Sequence, residues 1–263
     1  MGLGRSQVQI DCAPSWIFNR MVQAYQARPA YPEPLIKALA ELARPAGRRL
    51  GDVGAGIGHV ALPLAQRGFD VLAIEPARAM LQQLETEACE RGVKLDTLHA
   101  AAEALPLEPH SLDSAIVADA LHFLDGRRAA AEVQRVLARR CALGVVTCEF
   151  SETPFMRAVD RLMQEAAPRR PRDVSGLVPQ WFAVAGVELS QVQRFHDATQ
   201  LDAARLESIL RSISFIGPAM NAERFAAFRK RLHALPGPLV WARSFTLYGG
   251  RRRCRAGDRG ERA

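Results

Sequence analysis

The sequence lacks the features of several large classes of protein. No apolar run approaches the roughly 18 residues that a membrane-spanning helix needs, and Arg5, Ser6 and Gln7 stand where a signal peptide would begin its apolar core. The five cysteines are odd in number, widely separated and form no CxxC pair, which argues against a zinc ribbon and against a disulfide framework. We therefore expect a cytoplasmic protein.

The net charge is +7, but the excess of basic residues is concentrated at one end. Residues 251–263 contain six arginines and two acidic residues, so they supply +4 of the +7. The rest of the chain is nearly balanced, whereas a nucleic-acid-binding fold carries its basic residues on one face. We predict that 251–263 is a basic disordered tail and that nucleic acid is not the partner. RNA binding by this tail is the alternative.

Short apolar runs alternate with helical patterns in the first half of the chain. Strands are predicted at 49–53, 69–74, 93–98, 112–118 and 142–147, and helices at 16–25, 59–66, 77–91 and 127–137. This alternation is typical of a doubly wound, mostly parallel α/β sheet. Further along, helices are predicted at 155–166, 201–210 and 222–235, and strands at 187–195 and 245–248. We expect these strands to complete a seven-stranded sheet and these helices to cover it.

The most informative segment is the glycine-rich stretch 52–58 (DVGAGIG), directly after the first predicted strand. Glycines at alternate positions let the backbone turn tightly and approach a ligand without hindrance from a Cβ atom. The spacing lacks the G-x-G-x-x-G of a dinucleotide fingerprint and the Gly-Lys-Ser/Thr of a phosphate loop. Glu75 ends the next predicted strand, where a carboxylate accepts hydrogen bonds from both hydroxyls of a ribose. The two features together predict a ligand of the adenosine type.

Four segments together resemble the class I S-adenosylmethionine-dependent methyltransferases, and more narrowly the bacterial small-molecule enzymes of the methyltransferase-11/25 type. They are residues 25–32 (YQARPAYP), 52–58, 74–80 (IEPARAM) and 101–125, which contains AAEALPL and ALHFLD. The resemblance spans about residues 16–150. It implies a Rossmann-like methyltransferase fold in a single domain, residues 1–250, with a cofactor-binding core at about 30–150 and an acceptor cover at about 151–250.

The resemblance implies S-adenosylmethionine as the cofactor and places its binding residues within these motifs. The glycine loop approaches the methionine part, Glu75 binds the ribose hydroxyls, and Met80 packs on the adenine. Residues 101–103 lie at the adenine edge. Tyr25 and Arg28 close the amino-acid end, with Arg28 a candidate for its carboxylate. The full implied set is Tyr25, Arg28, Asp52, Gly54, Ala55, Gly56, Gly58, Glu75, Pro76, Met80, Ala101, Ala102 and Glu103.

The sequence departs from the family pattern at two places. Ala100 and Ala101 stand where a glycine and a polar residue are usual, so we expect backbone and packing to hold the adenine. A Pro-Gly-Gly turn usually precedes the fifth strand, but this chain has Ala138-Arg139-Arg140 there. The start of the fifth strand must therefore differ.

Methyl transfer from a sulfonium is an in-line displacement, so the protein must mainly align a nucleophile and exclude water. A general base is required only when the acceptor atom holds its proton tightly. Asp119 and His122 follow the fourth predicted strand on the ligand side and are the candidate catalytic residues; a helix cap and a packed histidine are their alternative roles. No histidines and carboxylates have metal-site spacing, so no metal is expected.

We therefore expect an enzyme that transfers a methyl group from S-adenosylmethionine to an O, N or C atom of a small organic acceptor. A reaction within S-adenosylmethionine, such as cyclisation, an RNA methyltransferase and a non-enzymatic binding module are the alternatives. Candidates for the wall of an acceptor cavity are Trp16, Tyr31, Phe155, Trp181 and Phe215, although aromatic residues more often lie in a core. No membrane partner is expected, and the acceptor and a homodimer are left open.

Overall fold

The structure of the protein, a computed structural model, describes residues 17–168 and 174–252. The strands of its sheet are β1 (Arg49–Val53), β2 (Asp70–Ile74), β3 (Asp96–Leu98), β4 (Leu112–Ala118), β5 (Leu137–Phe150), β6 (Leu189–Gln200) and β7 (Val240–Arg252). The α-helices are α1 (Val22–Tyr25), α2 (Glu33–Ala43), α3 (Ala61–Gln66), α4 (Arg78–Glu90), α5 (Gly126–Val136), α6 (Pro154–Ala166), α7 (Val178–Val184), α8 (Ala203–Arg211) and α9 (Ala222–His233). None of the helices in these two ranges has the length and apolar character required to span a lipid bilayer.

The seven strands form one sheet in the order β3-β2-β1-β4-β5-β7-β6. Strands β1 to β5 run parallel, whereas β7 is antiparallel to both of its neighbours, β5 and β6. The chain builds outward from β1 to β3 and then crosses to β4, so the strand order reverses between β1 and β4. Ligands bind at such a point, outside the carboxyl ends of the strands. The predicted doubly wound, mostly parallel sheet is confirmed.

Helices cover both faces of the parallel part of the sheet because its strands are apolar on both sides. All residues from Ser114 to Val117 of β4 are buried, as expected of a strand between two layers. One face packs against α5 and α7 through residues such as Val133 and Phe182. The other packs against α2 and α3, where Leu39 is fully buried.

A third apolar cluster joins the helices that follow β5 and forms the predicted helical cover. Met156 of α6, Ile209 of α8 and Phe228 of α9 meet in this cluster, together with residues of β7. The cap predicted for α9 is present, since Asn221 accepts a hydrogen bond of 2.9 Å from the backbone N–H of Arg224. The cover therefore has a core of its own and lies beside the carboxyl ends of the strands.

The fifth strand is longer than the predicted segment 142–147. It begins at Leu137, the residue directly after α5, which already has an extended backbone. Leu137 pairs with Leu112, and the register shifts before Ser114 pairs with Ala142. The chain thus passes from helix to strand without a loop, which explains why the usual glycine-rich turn is dispensable here.

The helix predicted at 16–25 is interrupted, because a 3-10 turn (Ile17–Arg20) precedes the short helix α1. This segment is anchored on α4, whose own cap position, Ala77, makes no side-chain cap. Asn19 supplies the cap instead and accepts a hydrogen bond of 3.0 Å from the backbone N–H of Ala79. The contact fixes the N-terminal segment over the carboxyl ends of β1 and β2.

The prediction of a disordered tail over 251–263 is wrong for its first two residues, because Arg251 and Arg252 belong to β7 and pair with β5. The Arg251 guanidinium donates to the carbonyl oxygens of Leu42 (2.9 Å) and Glu41 (2.7 Å) in the last turn of α2. Carbonyls at a helix end have no helical partner, so they bind this arginine. The rest of the tail prediction, residues 253–263, lies outside the described residues.

Candidate active site

A large cavity opens at the carboxyl ends of the parallel strands, beside the point where the strand order reverses. Its volume is about 1190 Å³, larger than the roughly 300–1,000 Å³ of a pocket for one small molecule. The N-terminal segment with α1 forms one side, and α6 and α8 of the cover form another. The cavity therefore has space for two ligands side by side.

Most of the predicted cofactor-binding residues line this cavity. From the glycine loop, the end of β2 and α4 these are Gly54, Gly56, Glu75, Pro76 and Met80. From the N-terminal segment and the loop after β3 they are Tyr25, Arg28, Ala101, Ala102 and Glu103. Both predicted catalytic residues, Asp119 and His122, line it as well. The topology thus brings together motifs that are up to about 100 residues apart in the sequence.

Asp52, Ala55 and Gly58, which also belong to the predicted cofactor-binding set, are buried and are not among the residues that line the cavity. The Asp52 carboxylate accepts a hydrogen bond from the backbone N–H of Ala61, and its Oδ2 atom is buried without a partner. Burial raises the pKa of Asp52 to about 7, against the effect of that hydrogen bond. A Cβ atom on Gly58 would lie 2.9 Å from Leu84 Cγ. These residues support the loop from behind.

The glycine loop needs glycine for two different reasons. Gly54, Gly56 and Gly58 have φ angles of 76°, 56° and 90°, which side chains rarely adopt. A Cβ atom on Gly54 would also lie 2.7 Å from the Ala120 Cβ atom, whereas one on Gly56 would meet nothing closer than Tyr25 Cε1 at 3.9 Å. Gly56 therefore keeps open the part of the cavity that faces Tyr25.

Glu75 connects the end of β2 to the glycine loop. Its Oε2 atom accepts a hydrogen bond from the backbone N–H of Gly56, and its Oε1 atom accepts one from Ala77, both 2.9 Å long. Burial raises the pKa of Glu75, while these two N–H groups lower it. Each carboxylate oxygen retains a second lone pair for a ligand hydroxyl. The two features singled out in the sequence are therefore in direct contact on the same rim.

Tyr25 and Arg28, two residues of the N-terminal segment, line the cavity beside the glycine loop. The Arg28 guanidinium lies 4.2 Å from the centroid of the Tyr25 ring. It also donates from Nε to Ser212 Oγ (2.7 Å) and from Nη2 to the Ser212 carbonyl oxygen (2.9 Å). Ser212 follows α8, so Arg28 joins the N-terminal segment to the cover.

The two candidate catalytic residues lie just after β4. Asp119 has a φ of 51°, an uncommon conformation for a residue other than glycine. Burial raises the pKa of its carboxyl group to about 6, although Arg28 and Arg243 lower it. His122 lies in a 3-10 turn, and its ring centroid is 3.9 Å from that of Phe123. Strained backbone at a cavity wall is common in active sites.

Several cavity residues were missed in the sequence. His59 directly follows the glycine loop, and this position in the sequence could have predicted that it lines the cavity. Trp241 and Arg243 come from a strand without a motif, so nothing in their local sequence predicts their position. Of the aromatic candidates, Tyr31 and Phe215 line the cavity, Phe155 and Trp181 pack in apolar clusters instead, and Trp16 lies outside the described residues.

Comparison with known proteins indicates the class to which this site belongs. Residues 51–143 match the family model of a methyltransferase domain. An uncharacterized methyltransferase of Mycobacterium bovis is 39% identical over 130 residues, which are 49% of this chain and 51% of that protein. The chain thus spans about half the length of such curated relatives.

Solved structures share the fold at low sequence identity. The YcgJ protein of Bacillus subtilis has a TM-score of 0.58 at 23% identity, with 84% of this chain and 97% of that chain covered. Geranyl diphosphate methyltransferase in complex with S-adenosylmethionine has a TM-score of 0.52 at 13% identity, with 84% and 85% covered.

Residues 51–143 are therefore similar to a methyltransferase domain, as the sequence motifs predicted, and the Rossmann-like fold is confirmed. One of the solved structures that share this fold is in complex with S-adenosylmethionine, the cofactor that the sequence motifs implied. The matched segment 51–143 includes the glycine loop, Glu75 and Asp119, which are the parts of the cavity that the parallel strands supply.

Proposed function

We propose that the protein transfers a methyl group from S-adenosylmethionine to an O, N or C atom of a small organic acceptor. The observation that carries this proposal is the direct hydrogen bond between Glu75 and Gly56 at the rim of a cavity with space for two ligands. A carboxylate beside an open glycine loop provides what an adenosyl group with a charged amino-acid end requires.

The chemistry of the cavity wall fits this cofactor. The free lone pairs of Glu75 are acceptors for the two ribose hydroxyls, and Met80, buried but on the wall, offers an apolar surface to the adenine. Glu103 is fixed by accepting a hydrogen bond of 2.8 Å from the backbone N–H of Asp125, which holds segment 101–103 at the adenine edge. Tyr25 lies beside Gly56, where the methionine part would lie.

When bound, S-adenosylmethionine supplies a methyl group that is already activated by a positively charged sulfur. The tasks left to the protein are alignment of the acceptor and exclusion of water. The Asp119 carboxyl group, with a pKa of about 6, is mostly ionised at neutral pH and accepts a proton from a protic acceptor atom. His122, on the following turn, orients the acceptor.

The end of the cavity away from the glycine loop favours the binding of a small acceptor molecule with an apolar body. Phe150, Met156 and Trp241 line this end, while Arg157 and Asp160 of α6 line it on a more exposed side. The cover over these residues has its own packed core. A cavity with apolar side chains at this end suits a small organic molecule better than an RNA strand, which is usually bound along an open basic surface.

The experiment that tests this function has two steps. Calorimetric titration with S-adenosylhomocysteine should show saturable one-to-one binding. Incubation with methyl-labelled S-adenosylmethionine and a small-molecule extract of the producing cell should then transfer the label to one compound and release S-adenosylhomocysteine. Absence of binding would overturn the proposal. Transfer of the labelled methyl group to RNA would assign a different reaction to the same site. The same holds if adenosyl products form without any transfer of the methyl group.

A further inference from the structure

Arginines gather at the end of the sheet opposite the cavity, where the parallel strands begin. Arg140 lies near the start of β5, and Arg251 and Arg252 end the neighbouring strand β7, which is antiparallel to it. Arg44 directly follows the last residue of α2. These four residues, here called the basic face, do not line the cavity, and the proposed function does not use them.

Hydrogen bonds to the end of α2 bring three of these arginines together. Arg251 and Arg140 donate to backbone carbonyl oxygens within residues 41–45, and Arg44 belongs to this segment. The Arg44 guanidinium donates to the carbonyl oxygen of Arg67 at 3.1 Å. Three positive charges are thus held around one helix end.

Arg252 extends the basic face to the beginning of β5. Its guanidinium donates to the carbonyl oxygens of residues 137–139, which directly precede Arg140. Residues 253–263 continue the chain from Arg252 and contain four arginines and two acidic residues. The basic face is therefore followed in the sequence by a further excess of positive charge.

The charges of the basic face are not neutralised by carboxylates. Within residues 17–168 and 174–252, its four guanidinium groups bond to backbone carbonyl oxygens and form no ion pair. Arg44 and Arg140 each bond through one nitrogen atom, whereas a guanidinium has five N–H donors. Arg44, Arg140 and Arg251 are exposed. The face thus offers charged donors that are anchored, accessible and mostly unused.

A groove of about 480 Å³ beside Arg44 adds further positive charge to this end of the protein. Lys37 and Arg67 line the groove together with Arg44. Lys37 is 3.9 Å from Glu41, and Arg67 is paired with Glu33, but ion pairs that are open to solvent are weak. A ligand with several negative charges can therefore bind across the groove and the basic face.

The chemistry of the basic face favours a duplex of nucleic acid over other polyanions. The exposed large apolar side chains of the described ranges are Phe123, Leu177 and Val192, and none of them belongs to the face. Helices on membrane surfaces and interfaces between proteins use apolar or aromatic side chains, and single strands stack their bases on aromatic rings. A duplex needs neither, because its phosphates lie outside and arginine binds phosphate through paired N–H donors.

We propose that the basic face docks the protein on the phosphate backbone of a double-stranded nucleic acid, without reading the base sequence. The inference is independent of the proposed function, because the nucleic acid binds at the opposite end of the sheet and is not the methyl acceptor. The nearly balanced charge of residues 1–250 predicted no nucleic-acid partner. In the structure, however, uncompensated positive charges are concentrated at one end, as in a nucleic-acid-binding surface.

Fluorescence anisotropy with a labelled DNA duplex of about 20 base pairs tests this inference, at NaCl concentrations from about 50 to 200 mM. The logarithm of the affinity should fall linearly with the logarithm of the salt concentration, with a slope of about −0.9 for each phosphate contacted. For a face of four arginines we expect a slope of about −3 or steeper.

The face variant combines Arg44→Gln, Arg140→Gln and Arg251→Gln. Glutamine keeps an NH2 donor for the backbone carbonyl oxygens but removes the charge. We expect the duplex to bind at least about tenfold more weakly and the slope to become shallower by about 2–3, because three phosphate contacts are lost. The affinity for S-adenosylhomocysteine should stay within about twofold, since the cavity lies at the other end of the sheet.

The matched control combines Arg194→Gln, Arg224→Gln and Arg229→Gln, which remove the same charge from exposed positions of β6 and α9. It should bind the duplex within about threefold of the wild type and with the same slope. Arg44→Gln alone is the milder variant, and it decides the matter if the face variant loses its fold. It should reduce the slope by about 1.

Four outcomes would overturn the inference. They are no binding of the duplex by the wild type, wild-type behaviour of the face variant, equal losses in the face variant and its control, and an unchanged slope in Arg44→Gln. Binding of the wild type to vesicles of phosphatidylcholine and phosphatidylserine, but not to the duplex, would assign the face to a membrane surface instead. Failure to bind S-adenosylhomocysteine would overturn the proposed function and leave this inference standing.

Discussion

The two halves of the chain contribute to the same cavity in different ways. In residues 17–150 each parallel strand ends at the cavity, and the next few residues line it: Gly56 follows β1, Glu75 follows β2 and Asp119 follows β4. In residues 151–252 the lining residues lie on cover helices and at the start of the long antiparallel strand β7, as Arg243 does. The proposed cofactor contacts are thus encoded locally, whereas the proposed acceptor contacts depend on tertiary packing.

Backbone strain and fully buried carboxyl groups follow the same division. The glycine loop and Asp119 have positive φ angles, and Asp52 and Glu75 are buried carboxyl groups. In the second half, the caps of α8 and α9 and exposed pairs such as Arg211–Glu207 are ordinary stabilising contacts. Strained backbone such as that of the glycine loop and Asp119 persists at functional sites because the surrounding packing maintains it. Changes in the first half should therefore alter cofactor affinity, and changes in the second should alter mainly stability.

The largest expected effect is that of Gly56→Val. A branched side chain at a φ of 56° is strained, and it would also enter the space between the loop and Tyr25. We expect S-adenosylhomocysteine to bind about 3 kcal/mol more weakly, roughly a hundredfold or more, in calorimetric titration.

Gly92→Val is the matched control for this change. Gly92 has a similar φ of 63° at the end of α4, but no atom lies within 4 Å of the position that a Cβ atom would take there. This variant should lose stability from strain and keep its affinity. Equal affinity losses in both variants would show that the effect of Gly56→Val comes from destabilisation and not from the site.

The difference between the two halves of the chain also explains how much of the fold and of the candidate site could be predicted from the sequence. The bounds of β1 and β4 agree with prediction because buried parallel strands are short apolar runs between glycine-rich loops. The position of Glu75 and Gly56 at the cavity could be predicted because both residues directly follow strands, and the ends of strands can be recognised in the sequence. Arg243 could not be found, since its contacts with the carbonyl oxygens of Pro29 and Ala30 join segments more than 200 residues apart.

Asp52→Asn should change how stability depends on pH. The pKa of Asp52 is about 7 in the folded protein, against the ordinary value of 3.8 for this side chain, so the folded state binds the proton more tightly. This contribution to the free energy of unfolding is fully present below pH 4 and is lost as pH rises through 7. The shift corresponds to at most about 4 kcal/mol, and relaxation around a buried charge reduces it.

We therefore expect Asp52→Asn to be about 2 kcal/mol more stable than the wild type at pH 8 and similar to it at pH 4, in urea titrations at both pH values. The exposed change Asp70→Asn is the control and should show no such pH-dependent difference. A constant difference between Asp52→Asn and the wild type at both pH values would contradict the assigned burial of this carboxylate.

Glu75→Gln probes the connection between loop and strand by replacing one carboxylate oxygen with an NH2 group. One amide oxygen replaces two carboxylate oxygens, so an N–H group must face the backbone N–H of either Gly56 or Ala77. S-adenosylhomocysteine should bind about 1–2 kcal/mol more weakly. Glu85→Gln, on α4 away from the cavity, should bind it normally; equal binding by both variants would remove Glu75 from the site.

The smallest effect on affinity is expected for Ser212→Ala, which tests whether the two halves are held together through Arg28. The change removes the 2.7 Å hydrogen bond from Arg28 Nε and the 2.6 Å hydrogen bond that Ser212 Oγ donates to the Ile209 carbonyl oxygen, but the bond from Arg28 Nη2 to the Ser212 carbonyl oxygen remains. The free energy of unfolding should fall by about 1–2 kcal/mol, as is typical for the loss of two hydrogen bonds. Affinity for S-adenosylhomocysteine should stay within about twofold, because the Arg28 guanidinium is still anchored. A larger loss of affinity than of stability would mean that Ser212 positions Arg28 for the ligand, and the division between a cofactor half and a structural cover would then fail at this contact.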